Sequence, residues 1–216
     1  MKKALLFGAS GFVGSHLLEE LLNNPDYKQV TIVVRKDLKI NHPKLKTLIG
    51  DFNSLPGLKD QINADDIFIA LGTTKANTPD PKEYYQVDHD YPVLAAKIAK
   101  EKGAKTVSIV SAVGANDASS VAYIKMKGET ERDIIALNFD HTNIFRPSMI
   151  MGNRKEKRRL EKFLIGVFSV INPLMPSKFK GIDGKNIARA MNSAARNLKE
   201  KVTILQWKEM TAQLKN

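Results

Sequence analysis

Cysteine is absent from the 216-residue chain. Its absence excludes disulfides, thiolate metal sites and a cysteine nucleophile, and it gives no support to an oxidising compartment. No run approaches 18 consecutive apolar residues, so we expect no membrane span. The apolar start, Ala4 to Phe7, stops at Gly8, which is too early for a signal peptide. These absences predict a cytoplasmic protein.

Histidine is scarce, and the four that occur are scattered along the chain: His16, His42, His89 and His141. They lack the close spacing of zinc ligands, and no calcium-loop motif is present. The sequence therefore predicts no metal site. We interpret Asp88, His89 and Asp90 as a cluster that caps the start of a helix, with substrate sensing by His89 as the alternative.

Positive charge exceeds negative charge, with 34 Lys and Arg against 23 Asp and Glu and a net charge of +11. Such a balance attracts polyanions. The densest basic segment, Arg154 to Lys162, lacks the interleaved aromatic residues of a nucleic-acid stacking platform, so a nucleic-acid partner is not favoured. We interpret this segment as a solvated helix face, with a flap that recruits an anionic small-molecule substrate as the alternative. The sequence predicts no particular oligomeric state.

Apolar runs rich in branched residues recur at Ala4–Phe7, Val30–Val34, Ile67–Leu71 and Val107–Val110. None alternates with polar residues, which indicates strands buried on both faces in a parallel sheet. Helical patterns lie between them, at Phe12–Leu22 and Tyr91–Lys102, so strand and helix alternate. The pattern predicts a doubly wound α/β Rossmann fold.

Further strands are predicted at Thr47–Ile49 and Thr142–Phe145, which gives six or seven in all. Further helices are predicted at Ser120–Leu137 and Gly184–Leu198, followed by a short tail. The length suits one domain over residues 1–216, with 151–185 as a basic flap and substrate-side segment.

Glycines follow the first strand at a regular spacing, in the order Gly8-Ala9-Ser10-Gly11-Phe12-Val13-Gly14. In this context Gly8 permits a tight turn, Gly11 lets a pyrophosphate approach the helix N-terminus, and Gly14 allows close packing of helix on strand. Three ordinary turn glycines are the alternative. The loop predicts a dinucleotide site, formed by Gly8, Ser10, Gly11, Phe12, Val13 and Gly14.

The end of the second strand bears on the choice of dinucleotide. An acidic residue there would bind the ribose 2′-hydroxyl of NAD, whereas this strand runs into Arg35 and Lys36. Two cations suit a 2′-phosphate, so NADP is predicted. NAD is the alternative, because Asp37 follows immediately.

Five motifs occur in order that together resemble the atypical short-chain dehydrogenase/reductases: the glycine loop, Gly50-Asp51-Phe52, Leu71-Gly72-Thr73-Thr74, Tyr123-xxx-Lys127 and Phe145-Arg146-Pro147-Ser148. The chain is most similar to the small branch of HIV Tat-interacting-protein-like oxidoreductases. The resemblance implies that Asp51 and Phe52 line the adenine pocket and that Leu71, Gly72 and Thr73 run along the cofactor. It also implies that Pro147, Ser148 and Met149 flank the nicotinamide.

Tyr123 and Lys127 lie four positions apart in a helical segment, so they share a face, and Ser111 ends a strand where α/β sites gather. A nearby ammonium favours the ionised tyrosine, so Lys127 should lower the pKa of Tyr123. The resemblance implies that Tyr123 donates a proton, Ser111 orients the substrate, and Lys127 also holds the nicotinamide ribose. Ordinary surface residues are the alternative. Relatives more often have a second serine where this chain has Ala112.

The leading hypothesis is an NADP-dependent oxidoreductase that acts on a carbonyl or alcohol of unidentified structure. A non-catalytic NAD(P)H-binding sensor or scaffold is the alternative, because the second serine is missing. A nucleotide-sugar epimerase is a further alternative, but those enzymes have a longer C-terminal part than the segment that follows Pro147 here.

Overall fold

A computed structural model describes residues 1–152, 176–198 and 200–215. Seven parallel strands form one sheet: β1 (Lys2–Phe7), β2 (Tyr27–Val34), β3 (Leu45–Ile49), β4 (Asp66–Ile69), β5 (Thr106–Val110), β6 (His141–Phe145) and β9 (Val202–Leu205). Their order across the sheet is β3-β2-β1-β4-β5-β6-β9. Two short strands, β7 (Ile150–Met151) and β8 (Ile182–Asp183), pair with each other outside this sheet.

The helices are α1 (Phe12–Asn23), α2 (Leu55–Leu58), α3 (Pro81–Tyr85), α4 (Tyr91–Glu101), α5 (Ala122–Ala136), α6 (Gly184–Ala194) and α7 (Trp207–Gln213). A π-helical turn, Gln86–Asp90, joins α3 directly to α4. In the part of the chain that the structure describes, no helix combines the length and the apolar character needed to cross a bilayer.

Helices cover both faces of the sheet, and each face has its own apolar core. On one face, α1, α6 and α7 bury Leu17, Ile187 and Met210 completely. On the other face, α4 and α5 bury Ala95 and Ile134 completely. The unbroken apolar runs of the central strands are explained by this double cover, and the predicted doubly wound Rossmann fold is confirmed.

The strand order reverses between β1 and β4. The chain leaves β1 toward β2 and β3 on one side, then crosses back to β4 on the other side of β1. At such a point the connections diverge and leave a crevice at the carboxyl ends of the strands, where α/β proteins bind ligands. The glycine loop follows β1 and the segment Ala70 to Thr73 follows β4, so both lie at this crevice.

The prediction for the C-terminal region is wrong in one respect. Instead of a short tail, the chain adds the seventh strand, β9, and a last helix, α7. Four residues at a partly exposed sheet edge are too few to show a strand period, which explains why no strand was predicted there. The basic segment Arg154 to Lys162 lies outside the described residues.

Candidate functional site

The glycine loop is held by close backbone contacts. Gly8 has φ +88°, and a Cβ at this position would overlap the carbonyl oxygen of Ala70. A Cβ at Gly14 would overlap the carbonyl oxygen of Gly8. The amide of Gly11 donates to the same oxygen at 2.9 Å. The loop is therefore a tight turn pressed against the end of β4, as the spacing of its glycines predicts.

The N-terminus of α1 opens toward solvent. Gly11 is its N-cap, no side chain caps the helix, and its first turn has no acidic residue. Ser10 and Gly11 are exposed. A helix N-terminus carries partial positive charge on its amides and suits a phosphate group. These features fit the pyrophosphate of a dinucleotide.

Phe12 connects the glycine loop to the C-terminal region. Its ring lies against Gly152 and Gly184, where an added Cβ at Gly184 would stand 2.5 Å from Phe12 Cε1. It also meets the His16 ring edge-on, with centroids 5.5 Å apart. The side chain of Phe12 thus has a packing role. Val13 is buried beneath the loop.

Arg35 and Lys36 directly follow β2, and both are exposed. Within the described residues neither forms an ion pair. Asp37 is engaged elsewhere, because its carboxylate accepts the Lys39 amide at 3.0 Å and pairs with the Lys39 ammonium at 3.3 Å. The hydrogen bond from Lys39 lowers the pKa of Asp37. The end of β2 thus presents two cations while the nearby carboxylate is already paired.

Asp51 and Phe52, the predicted adenine-pocket residues, follow β3. The Asp51 carboxylate accepts hydrogen bonds from the backbone amide of Ser54 at 2.9 Å and from its hydroxyl at 2.8 Å. These bonds lower the pKa of Asp51. The Phe52 ring stacks on Tyr91, with centroids 4.1 Å apart. Asp51 therefore shapes its own turn, and Phe52 with Tyr91 forms an aromatic surface.

The loop after β4 leads to a buried ion pair that the sequence analysis missed. The Thr73 amide donates to Asp88 Oδ2 at 2.8 Å, and Asp88 Oδ1 lies 2.6 Å from Lys127 Nζ. The two side chains are only 2% and 7% exposed. Leu71 and Gly72 complete this loop, with Gly72 exposed. Contacts from Gly8 through Ala70 and Thr73 to Asp88 thus place the Lys127 ammonium beside the crevice.

The interpretation of Asp88, His89 and Asp90 as a helix cap is wrong. Asp90 makes no capping hydrogen bond, because these residues form the π-helical turn. The His89 ring instead bonds Asp90 Oδ1 at 2.8 Å and Asp133 Oδ2 at 3.0 Å. The His89–Asp133 bond therefore attaches the π-helical turn, which contains Asp88, to α5.

Tyr123 lies one helical turn before Lys127 and is 40% exposed. The prediction that Lys127 lowers its pKa is wrong. Desolvation of the phenol raises the pKa of Tyr123, and the charge of Asp88 and the neighbouring Tyr84 raise it further. Because the Lys127 ammonium is neutralised by Asp88, it does not stabilise a phenolate. Tyr123 therefore stays protonated well beyond neutral pH.

Ser111 is buried at the end of β5, and its hydroxyl donates a hydrogen bond to Glu131. Glu131 is 4% exposed and accepts from Arg146 Nε at 3.0 Å. The Ser111 hydroxyl is thus committed to a buried charged network between α5 and the end of β6. Glu131 and Arg146 were not predicted as part of the site. The sequence signals were Arg146 itself, within the motif Phe145-Arg146-Pro147-Ser148, and a carboxylate four positions after Lys127 on the buried face of α5.

The predicted nicotinamide-flanking segment is tied to its neighbours by main-chain bonds. The Pro147 carbonyl accepts from the Val113 amide at 2.9 Å, and the Met149 carbonyl accepts from the Ile182 amide at 3.0 Å. The Ser148 hydroxyl bonds the carbonyl of Phe179 at 2.8 Å. These contacts hold the segment at the carboxyl edge of the sheet, between β5 and β8.

Comparison with known proteins agrees with this geometry. A family model described as NAD(P)H-binding matches residues 8–164, and the chain belongs to this NAD(P)H-binding family. Among curated proteins it is similar to protein fmp52, mitochondrial, of Aspergillus fumigatus, with 38% identity over 177 residues that cover 77% of this chain and 76% of the relative. It is also similar to protein FMP52, mitochondrial, of Saccharomyces cerevisiae, with 35% identity over 158 residues that cover 72% and 68%.

Solved structures share the fold at low sequence identity. MoeE5 in complex with UDP-glucose and NAD superimposes with a TM-score of 0.69 at 18% identity, over 97% of this chain and 80% of MoeE5. UDP-glucose 4-epimerase with UDP-glucose, from Thermotoga maritima, gives a TM-score of 0.71 at 12% identity, over 99% and 82%. At these identities the likeness shows a shared Rossmann fold and no more than the fold.

The comparisons contradict one prediction and support others only in a less specific form. The prediction of a cytoplasmic protein is wrong, because the curated relatives are named as mitochondrial proteins. The relatives do not single out the Tat-interacting-protein-like branch. The family match establishes NAD(P)H binding without distinguishing NADP from NAD.

Proposed function

We propose that the protein is an NADPH-dependent oxidoreductase of the short-chain dehydrogenase/reductase type that reduces a carbonyl group of a small molecule. The observation that carries this proposal is the Asp88–Lys127 pair, which the Thr73 amide ties to the loop after β4. This arrangement puts an ammonium, a tyrosine one turn away and an open helix N-terminus along a single crevice.

The choice of NADPH over NADH rests on the end of β2. A 2′-phosphate needs cations, and Arg35 and Lys36 are exposed there without an ion-pair partner in the described residues. Asp37, which could have bound a 2′-hydroxyl, is paired with Lys39. The uncapped end of α1 fits the pyrophosphate, and the Phe52–Tyr91 stack offers an aromatic surface to the adenine.

The residues of the site suit reduction rather than oxidation. When bound, a nicotinamide cofactor would supply the hydride that reduces the carbonyl carbon, and the carbonyl oxygen would then need a proton. Tyr123 holds a proton for that oxygen, because burial raises the pKa of its phenol and keeps it protonated. The Tyr123 phenolate left behind regains a proton from water. Lys127, held by Asp88, would contact the nicotinamide ribose, the role that the resemblance implies.

A second function, a non-catalytic NADPH sensor or scaffold, is favoured by one observation. The Ser111 hydroxyl is bound to Glu131, and Ala112 follows where relatives more often have a serine. If no other group orients the carbonyl, the chain binds cofactor without turnover. An epimerase activity is not proposed, because the likeness to nucleotide-sugar enzymes extends only to the fold.

Tyr123→Phe separates the two functions. For a reductase, the variant should keep NADPH affinity and lose about 100-fold or more in turnover, since general acid catalysis contributes roughly 10²–10⁴-fold. Turnover is measured as loss of NADPH absorbance with 4-nitrobenzaldehyde, acetophenone and 9,10-phenanthrenequinone as carbonyl probes. Unchanged turnover in the variant, or no turnover of any probe by the wild type, would contradict the reductase proposal.

A further inference from the structure

Reduction of a carbonyl beside Tyr123 calls for a second hydroxyl that orients the carbonyl oxygen. Ser111 was the predicted source, but its hydroxyl is buried and bound to Glu131, which Arg146 holds in place. Releasing that hydroxyl would leave a buried carboxylate with one hydrogen bond fewer, which is costly. A different hydroxyl near Tyr123 could donate the orienting hydrogen bond without disturbing Glu131.

The segment that contains α3 and the π-helical turn runs alongside α5. The Tyr85 hydroxyl donates to Glu129 at 3.2 Å, and His89 bonds Asp133 at 3.0 Å. In both contacts the partner lies 44 positions further along the chain. The two segments therefore run in the same direction over this stretch.

Tyr84 occupies the same place on its segment that Tyr123 occupies on α5. Tyr84 lies four residues before Asp88, and Tyr123 lies four residues before Lys127. The ion pair between Asp88 and Lys127, 2.6 Å long, fixes the two segments face to face at that level. Because the segments are parallel, both tyrosines lie about one turn from the ion pair toward the same end.

The environment of Tyr84 agrees with this placement. Its side chain is half-buried, and burial together with the charge of Asp88 raises the pKa of its phenol. The same carboxylate acts on Tyr123, and Tyr84 itself contributes to the raised pKa of Tyr123. Within the described residues the Tyr84 hydroxyl makes no hydrogen bond, so it is available to a ligand.

We propose that Tyr84 supplies the substrate-orienting hydroxyl, so that a carbonyl oxygen accepts hydrogen bonds from Tyr84 and Tyr123 together. This inference rests on the proposed reductase function. Tyr84 transfers no proton in this arrangement. It binds the carbonyl oxygen and strengthens its bond to that atom as negative charge develops. A carbonyl oxygen has two lone pairs and can accept both bonds.

Tyr84→Phe tests the proposal, with Tyr85→Phe as the matched control. Both variants delete one phenolic oxygen from adjacent residues, but the Tyr85 hydroxyl is bound to Glu129. We expect Tyr84→Phe to lower kcat by about 100-fold with the three carbonyl probes, the usual effect of removing one donor to a developing oxyanion. NADPH affinity and the thermal midpoint should not change. Ser111→Ala should retain most of the wild-type kcat.

The outcomes distinguish this inference from the function on which it rests. If Tyr123→Phe loses turnover while Tyr84→Phe matches Tyr85→Phe, Tyr84 does not orient the substrate and the reductase proposal stands. If Ser111→Ala loses as much kcat as Tyr84→Phe was expected to lose, the orienting role belongs to Ser111. If wild-type protein oxidises no NADPH with any probe, both proposals are overturned.

Discussion

Asp88 links the loop after β4 to α5, because its carboxylate binds both the Thr73 amide and the Lys127 ammonium. Asp88→Asn keeps the size of the side chain and an oxygen that can accept the Thr73 amide, which now donates to Asp88 Oδ2 at 2.8 Å. It removes the negative charge opposite Lys127. The Lys127 ammonium, only 7% exposed, is then left without its buried counter-ion.

The cost of this change follows from distance and burial. At 2.6 Å and an effective dielectric constant near 20, the attraction between the two charges is about 6 kcal/mol. Part of that attraction offsets the desolvation of both groups, and breaking a buried pair by removing one partner destabilises proteins by about 3–5 kcal/mol. For a chain of this length, such a loss lowers the thermal midpoint by roughly 6–20 °C.

Calorimetry or urea denaturation of Asp88→Asn measures this effect. Asp37→Asn is the matched control, because it neutralises the Asp37–Lys39 pair, in which both side chains are exposed, and it should leave the midpoint unchanged. The double variant Asp88→Asn/Lys127→Met should recover much of the stability, since it leaves no unpaired buried charge. If Asp88→Asn and Asp37→Asn have the same thermal midpoint, the Asp88–Lys127 pair does not stabilise the protein.

Three further predictions follow from the site. Gly14→Ala should abolish NADPH binding, because its methyl group would overlap the loop backbone. Gly57→Ala is the control, since an added methyl group there meets open space, and it should bind NADPH normally. Both variants are titrated with NADPH, and binding is followed by nicotinamide fluorescence. Because desolvation raises the pKa of Tyr123, the kcat for reduction should show no alkaline decline even at about pH 10, where roughly half of an unperturbed tyrosine is ionised. A half-loss of kcat at or below about pH 10 would contradict the raised pKa. Arg146→Met leaves the buried Glu131 carboxylate without its counter-ion, so it should lower the free energy of unfolding, measured in urea, by about 3–5 kcal/mol. A loss below about 1 kcal/mol would show that another group stabilises this charge.

The central part of the fold was predictable because its signals are local. Unbroken apolar runs at β1, β2 and β5 revealed strands covered on both faces, and Gly8 and Gly14 are required by backbone contacts that any side chain would block. β9 had no comparable signal. Its four residues pair with β6 at an edge, and that pairing depends on tertiary contact.

The predicted cofactor side of the site has stronger local signals in the sequence than the predicted catalytic side. A loop of glycines and two cations at a strand end have local physical reasons. The orientation of the Ser111 hydroxyl and the pKa of Tyr123 depend on Glu131 and Asp88, which approach from other elements of the fold. Residue types at these positions were found from the sequence, but the partners that decide their chemistry were not.

Every step of the proposed reduction requires bound NADPH, so cofactor binding is measured first. Purified protein is titrated with NADPH and with NADH, and binding is followed by nicotinamide fluorescence in the wild type, Arg35→Glu and Lys28→Glu. Lys28 is an exposed cation at the opposite end of β2, so its variant matches the charge change away from the site. We expect NADPH to bind more tightly than NADH, and this preference to be lost in Arg35→Glu and retained in Lys28→Glu. Equal affinity for both cofactors, unchanged in Arg35→Glu, would contradict this expectation.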